Sequence, residues 1–326
     1  MNEPVRKKNR PKLEIYITPR DIEVMEALWR YRIMRESTLH RLGFPMVKHQ
    51  RKVQGRLKKL WKCGYIGRWF PPIVHRANKT DAQTNGQGGI YWIERRGVEE
   101  VLNGGERWDN AQRDRVRSTR RLFTRRDFPN LKHPLDVADV RACLEVALAR
   151  TPGVLLAAWY EENLSLRFKV KILRPEKKKE DPFTLCPDGC FVLEDAHTEQ
   201  QQLFFVEIDE GTESARKRWR DKVLAYVAYW NQGFEADFGF KGEGFRVLTV
   251  TRSEKGKKQA AHKVRLLATT YRAGGRGQFW IATFDQVMPE GIVTGEHFLT
   301  KSIWQRAREE DVKRNLEVVL YNELFP

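Results

Sequence analysis

The chain has 326 residues, enough for two domains that each bury a core, and its 40% hydrophobic content excludes general disorder. Its formal net charge of +17 indicates a polyanionic partner, with nucleic acid as the first candidate and an anionic membrane surface as the second. No stretch approaches the roughly 18 apolar residues of a membrane-spanning helix, and the N-terminal segment lacks the apolar core of a secretory signal. We therefore expect a cytoplasmic protein that does not act at a membrane.

The first hundred residues have the element order of a winged helix-turn-helix. After a basic arm at residues 1–14, Thr18, Pro19 and Asp21 predict a helix start, because they suit the cap, the first helical position and the positive end of the helix dipole. Apolar spacing extends this predicted helix to Ile33. A short second helix stopped by Gly43 and a third helix over 47–62 follow. Two strands, at 65–70 and 89–93, are predicted to pair and complete a domain over 15–102.

The third predicted helix is strongly basic. From residue 37 to residue 80 the chain has eleven Lys or Arg and no acidic residue, whereas a merely solvated face usually mixes both signs. We therefore predict that this helix enters the major groove of double-stranded DNA. The cations assigned to DNA contact are Lys48, Arg51, Lys52, Arg56, Lys58, Lys59, Lys62 and Arg68. The polar loop over 71–88 is either a wing that reaches the minor groove or an irregular loop.

The second half of the chain predicts an α/β domain over 133–288. A basic connector at 103–132 precedes it and either contacts phosphates or is simply solvated. The predicted elements are a helix at 133–150, strands at 154–160 and 166–172, a charged loop at 175–181, strands at 185–193 and 203–209, a helix at 213–230, a strand at 245–251, a basic helix at 257–272 and a last strand at 278–283. Residues 289–326 form a C-terminal extension, with a short strand or loop followed by a terminal segment anchored by Phe298, Trp304, Leu316 and Leu320.

Three acidic residues stand out in the central strands of this domain. Asp188 is predicted in one strand, and Glu207 and Asp209 share a face of the next because side chains alternate. If the two strands pair, Asp188 comes near Glu207, and clustered carboxylates suit Mg²⁺ or Mn²⁺. The alternative is structural: Asp188 as a turn residue and Asp209 as a cap for the turn that follows it. Two cysteines flank Asp188, but their spacing alone is a poor zinc signal.

The order of helix, acidic strands, helix and strand resembles the PD-(D/E)XK nuclease-like core. More closely, the chain resembles the replication-relaxation family of plasmids, phages and other bacterial mobile elements. The resemblance lies in TPRDIEVMEAL, LKHPLDVADVRACLEVAL, the PDG at 187–189, and FFVEIDEGTES followed by RWRDKVLAYVAYW. It implies an N-terminal winged helix joined to a degenerate nuclease-like domain with a mixed central sheet. It also implies work in replication, relaxation or conjugative mobilisation, with a relaxase or replication initiator as partner.

One departure bears on catalysis. Asp188 and Glu207 match the two acids of the nuclease motif, but Asp209 stands where the lysine belongs. The resemblance implies a catalytic set of Asp188, Glu207 and Asp209, with Lys222 supplying the missing cation and Lys217 as its substitute. It implies a metal held by Asp188 and Glu207, with Glu145 as a further ligand.

The sequence is compatible with three functions. The first is a DNA-binding accessory protein with an inactive nuclease-like domain. The second is a Mg²⁺- or Mn²⁺-dependent DNA endonuclease that nicks one strand, and the third is a transcriptional regulator. Winged helices often act as homodimers, although no heptad pattern or apolar patch identifies an interface.

Overall fold

The structure, a computed structural model, describes residues 15–43, 50–70, 88–103, 131–161, 166–173, 180–209, 213–238, 244–261, 277–291 and 293–324. The chain divides into two compact units. The first comprises Met1–Ala142 with Gly291–Val293, and the second comprises Cys143–Glu290 with Thr294–Pro326. Helices and strands occur in both units, so the predicted mixed α/β class is confirmed. Within the described part of the chain, no helix is both long enough and apolar enough to cross a membrane.

The first unit consists of short helices around a small antiparallel sheet. Its elements are α1 (Pro19–Tyr31), β1 (Ile33–Arg35), α2 (Glu36–Gly43), α3 (Gln50–Lys62), β2 (Ile66–Trp69), β3 (Ile90–Ile93) and α4 (Arg95–Asn103). The strand order is β1-β3-β2. The predicted pairing of the two strands after the third helix is confirmed, with Ile66 opposite Ile93 and Trp69 opposite Ile90.

The start of α1 follows its sequence signals, but its end does not. Thr18 and Asp21 form a reciprocal capping box, and Pro19 occupies the first helical position, as predicted. The helix ends at Tyr31, because Arg32 adopts a positive φ of 63° and turns the chain. The prediction that Ile33 continues the helix is wrong. Ile33 instead begins β1, which pairs with β3.

One face of the small sheet is covered by the beginning of the next helix, α5 (Lys132–Leu148). Ile33, Ile90 and Trp92 form a buried cluster with Leu131 and Leu135. Burial of this apolar surface explains why the first unit extends to Ala142. The start of the second domain was expected at residue 133, before this helix.

The second unit contains the larger sheet. Its strands are β4 (Val154–Glu161), β5 (Phe168–Leu173), β6 (Glu180–Leu185), β7 (Gly189–Asp195), β8 (Gln201–Asp209), β9 (Phe245–Thr251), β10 (Phe279–Thr283), β11 (Ser302–Arg306) and β12 (Val318–Val319). Its helices are α6 (Glu213–Asn231), α7 (Glu235–Phe238), α8 (Phe284–Val287), α9 (Glu296–Thr300) and α10 (Glu309–Lys313). Residues 254–261 are also helical.

Seven of these strands form one mixed sheet in the order β12-β11-β10-β9-β8-β7-β4. Strands β8, β9 and β10 are parallel, and the other neighbours are antiparallel. The predicted mixed central sheet is therefore confirmed. α6 connects β8 to β9 and packs against the separate β5–β6 hairpin. Aromatic rings fill the space between α6 and the sheet, among them Phe205, Tyr226, Tyr229, Phe245 and Phe279.

Several local predictions for this unit are wrong. The strand at 278–283 is not the last, because β11 pairs with β10 and β12 pairs with β11. The C-terminal extension therefore widens the central sheet. A buried Lys257 holds this extension by pairing with Glu317, and it also donates to Gln286 of α8 at 3.0 Å. Asp188 does not lie within a strand but in the bend just before β7, and β6 begins at Glu180, where a loop was expected.

Candidate functional site

The outer face of α3 carries exposed cations. Positions 51, 58 and 62 follow one face of the helix, and positions 52 and 59 lie beside them. All five side chains, Arg51, Lys52, Lys58, Lys59 and Lys62, are exposed, and we call this set the α3 basic face. The opposite face packs inward through Val53, Leu57 and Leu60. Lys48, the other cation assigned to this helix, lies outside the described residues.

Gly55 lies within the α3 basic face. A Cβ added there would meet nothing within 4 Å, so packing does not require glycine at this position. A glycine inside a helix costs about 1 kcal/mol relative to alanine. No contact in the described part of the protein offsets this cost. A glycine in such a position is typical of a site where the backbone of another molecule approaches closely.

Arg56 has a different environment from the α3 basic face. Its Nε donates to Asp21 Oδ1 at 2.7 Å, its Nη2 donates to the Tyr16 carbonyl at 2.7 Å, and Nη2 also pairs with Asp21 Oδ2. Burial acts to raise the pKa of Asp21, but the hydrogen bonds from Arg56 and Thr18 outweigh it and hold that pKa below its usual value. Arg56 thus ties α3 to the start of α1, a role that the sequence assignment to DNA contact did not include.

Arg68 on β2 is half-buried. Its guanidinium stacks 3.7 Å from the ring centre of Trp61 and lies 5.2 Å from that of Phe70. The stacking fixes the guanidinium beside the end of α3.

The predicted carboxylates of the second unit meet beside α6. The N–H of Asp188 donates to the Val206 carbonyl at 3.1 Å, and Asp188 Oδ2 accepts from the N–H of Ile208 at 2.7 Å. These bonds place Asp188 next to Glu207, as the predicted pairing of the two strands required. Lys222 pairs with Glu207 Oε2, and its Nζ lies 3.8 Å from Asp188 Oδ1. Lys222 of α6 therefore lies beside both acids, the position in which the resemblance expected it.

Glu207 is almost completely buried, and its environment opposes ionisation. Burial raises its pKa to about 7; the nearby Asp188 adds to the rise, whereas Lys222 and the Tyr226 hydroxyl lower it. Tyr226 donates to Glu207 Oε1 at 2.7 Å, and burial together with Glu207 raises the pKa of that phenol. Desolvation of the carboxylate thus outweighs its attraction to the lysine.

A family model described as replication-relaxation matches residues 25–241, which is more than half of the chain. The chain belongs to the replication-relaxation family. The resemblance seen in the sequence is thereby confirmed, and it indicates a role in the replication or relaxation of a plasmid or mobile element. The matched residues include the α3 basic face and the Asp188–Glu207–Lys222 cluster. Searches of curated proteins and of solved structures found no match.

One side chain of this replication-relaxation protein, Tyr226, is not among the site residues predicted from the sequence. Its hydroxyl donates to Glu207. The available signal was its position four residues after Lys222, which places both side chains on one helix face. Asp209, the last residue of β8, is half-buried and lies beside Thr251 of β9. The side chain of Lys217 lies outside the described residues.

The chemistry of this cluster does not fit a divalent metal ion. Both oxygens of Glu207 already accept hydrogen bonds, and the ammonium of Lys222 lies where a cation would balance the two acids. Among the described residues, no group of three or more His, Cys, Asp or Glu side chains is arranged to hold a metal. Glu145, the third expected ligand, is half-buried on α5.

Proposed function

We propose that this replication-relaxation protein is a DNA-binding accessory factor of a plasmid or other bacterial mobile element, acting in the cytoplasm. In this proposal the first unit is a winged helix-turn-helix that binds double-stranded DNA. The second unit is a nuclease-like domain that lacks catalytic activity. The observation that carries the proposal is the uniformly cationic, exposed α3 basic face.

The arrangement of the first unit supports a groove-binding role for α3. The order helix, strand, helix, helix and two antiparallel strands is that of a winged helix, in which the third helix enters the major groove. The buried side of α3 is anchored by apolar contacts and by Arg56, whereas the cations of the opposite side are exposed within the part of the chain that the structure describes. Arginine and lysine on such a face neutralise phosphates and release counterions.

The second unit supplies the argument for an accessory role. Lys222 balances the charges of Asp188 and Glu207 from within the chain. The cluster therefore has a structural role, because its polar contacts hold β7, β8 and α6 together. A sheet held in this way is suited to position DNA or to recruit a relaxase or a replication initiator. A homodimer on DNA is part of the same proposal, since paired winged helices read paired half-sites.

Binding to duplex DNA tests the proposal. We expect the Arg51→Ala, Lys58→Ala, Lys62→Ala triple variant to bind a labelled duplex on the order of 100-fold more weakly at 0.1 M salt, measured by fluorescence anisotropy. The slope of log affinity against log salt falls by about 2.7, because each lost phosphate contact removes about 0.9.

The matched control removes three charges elsewhere. Lys169, Lys171 and Lys301 are exposed lysines of the second unit, so their triple alanine variant lowers the net charge equally. The proposal holds if the control retains most of the wild-type affinity and slope. Equal losses in both variants would show that net charge alone, and not α3, drives binding.

A second candidate function is a DNA endonuclease that nicks one strand. The observation that favours it is that α6 supplies a lysine to the two acids, the combination that the nuclease motif requires. A metal would have to displace Lys222 from Glu207. Supercoiled plasmid with Mg²⁺ or Mn²⁺ decides between the candidates, with an Asp188→Ala, Glu207→Ala double variant as control. Nicking by the wild type alone supports the nuclease, whereas no nicking with retained DNA binding supports the accessory factor.

A further inference from the structure

A second group of cationic residues lies in the second unit, where the parallel strands β9 and β10 begin. Arg246 is the second residue of β9, and Gln278 immediately precedes β10; the N–H of Val247 donates to the Gln278 carbonyl at 2.8 Å. On the other side of β10, the Arg308 guanidinium lies against Gly277, where an added Cβ would come within 2.8 Å of it. The sheet therefore brings Arg246, Gln278 and Arg308 into one row across neighbouring strands.

The Arg246 side chain packs on aromatic rings, and the Val247–Gln278 hydrogen bond places Gln278 next to it, in the turn just before β10. The Arg246 guanidinium lies 5.1 Å from the Trp280 ring centre and 5.9 Å from that of Phe204. These rings hold the guanidinium by cation–π contact but offer it no hydrogen-bond acceptor.

Polar atoms at this place lack the partners that buried groups normally have. Within the described part of the chain, the buried Nη1 of Arg246 has no hydrogen-bond partner, and neither does either amide atom of Gln278, which is only 6% exposed. Leaving such groups unpaired costs about 1–3 kcal/mol each, and more when the group is charged. Two adjacent residues with this cost indicate a ligand that accepts hydrogen bonds from both.

The charges of the nearby arginines favour an anionic ligand. Two nearby carboxylates of the described chain, Asp311 and Glu323, are already paired with Arg306. Burial lowers the pKa of Arg246 to about 10; Glu323 opposes this effect, while Arg306 and Arg308 add to it. Among the described residues, neither Arg246 nor Arg308 forms an ion pair, and an anion would relieve their repulsion.

We propose that Arg246, Gln278 and Arg308 form a binding site for a phosphate group. A phosphate offers several acceptor oxygens to the planar fork of one arginine, the amide of Gln278 and the second guanidinium. The site lies outside the α3 basic face and the Asp188–Glu207–Lys222 cluster, and it does not depend on the function of either. The phosphate belongs to a DNA backbone or to a free phosphate compound, which share this chemistry.

Thermal unfolding of the full chain tests the site. In inorganic phosphate at about ten times its dissociation constant, the wild type gains about 3 °C in Tm over chloride of equal ionic strength. Arg246→Met loses this gain. In chloride its own Tm stays level or rises, because a buried unpaired charge has been removed. A purely structural Arg246 would instead give a lower Tm in chloride.

Controls separate the site from general effects of charge. Arg167→Met removes an exposed arginine of the same unit and should keep the full gain in phosphate. Arg308→Met changes an exposed side chain, so it tests the site even if Arg246→Met fails to fold. An equal gain in the wild type and both site variants, or no gain in the wild type, overturns the proposal.

Duplex binding then identifies the source of the phosphate. Arg308→Met weakens duplex binding about 5- to 10-fold if the site holds a DNA phosphate, and leaves it unchanged if the site holds a free phosphate compound. The triple variant of the α3 basic face retains the gain in inorganic phosphate in either case. Failure of the phosphate site and failure of the α3 proposal are therefore distinguishable.

Discussion

Replacement of Glu207 by glutamine probes the balance of forces in the buried cluster. Glu207 pairs with Lys222 and accepts from Tyr226, yet its burial keeps its pKa near 7 instead of the usual 4.5. Glutamine has nearly the same shape and can still accept a hydrogen bond, but it does not ionise. The variant therefore removes the titration while disturbing the packing little.

The magnitude follows from the shift in pKa. The folded-state pKa is raised, so the stabilising contribution is present in full below pH 4.5 and is lost as the pH rises through 7. The rise of the pKa from 4.5 to about 7, at about 1.4 kcal/mol for each pH unit, corresponds to about 3 to 4 kcal/mol. The free energy of unfolding of the wild type thus falls by that amount relative to Glu207→Gln between pH 4.5 and pH 8.

Urea unfolding at intervals from pH 4.5 to pH 8, followed by circular dichroism, measures this difference. Titration of the other groups is common to both proteins and cancels when the two curves are subtracted. Glu180→Gln, which changes an exposed carboxylate of the same unit, should give a flat difference. A flat curve for Glu207→Gln, or one in which the wild type gains stability as the pH rises, would mean that the ion pair with Lys222 outweighs burial and that the reasoning is wrong.

Two further substitutions test the first unit. Gly55→Ala should raise the free energy of unfolding by about 1 kcal/mol, because the new methyl group meets no atom of the described chain. The same variant should weaken duplex binding. Unchanged binding would refute a close approach of DNA to Gly55. Asp21→Asn should lower that free energy by about 2 kcal/mol, because it leaves Arg56 without its charged partner, whereas Glu23→Gln on the exposed side of α1 should have little effect. Urea unfolding measures both, and equal stability of the Asp21 and Glu23 variants would contradict a structural role for the Arg56 pair.

Elements with long periodic or strongly apolar sequences were predictable. The helices α1, α3, α5 and α6 and the strands β4, β8, β9 and β10 all lie where spacing or apolar runs placed them, within a few residues. Strands of three residues or fewer, such as β1 and β12, show no periodicity and depend on their neighbours for pairing. The position of β11 in the sheet likewise depends on its pairing with β10, and no local sequence pattern predicts that pairing.

The identity of the candidate-site residues was predictable from the sequence, whereas most of their contacts were not. The acids at 188 and 207 and the lysine at 222 were all named, because the motif and the helix spacing point to them. The binding of Arg56 to Asp21 was not foreseen, since the two residues are 35 positions apart and a helical wheel places Arg56 only at the border of the basic face. The same limit applies to Arg246 and Gln278, whose proximity arises from the pairing of β9 with β10.

The most direct test of the central claim locates α3 on DNA. A single reactive cysteine, Lys58→Cys in a Cys186→Ser background, carries an iron–EDTA cleavage reagent; the other three cysteines are buried. We predict that duplex DNA is cut from position 58 and not from a matched Lys169→Cys protein, whose label lies on β5 of the second unit. Cutting from position 58 that is no stronger than from position 169 would contradict the claim that α3 is the DNA-binding helix.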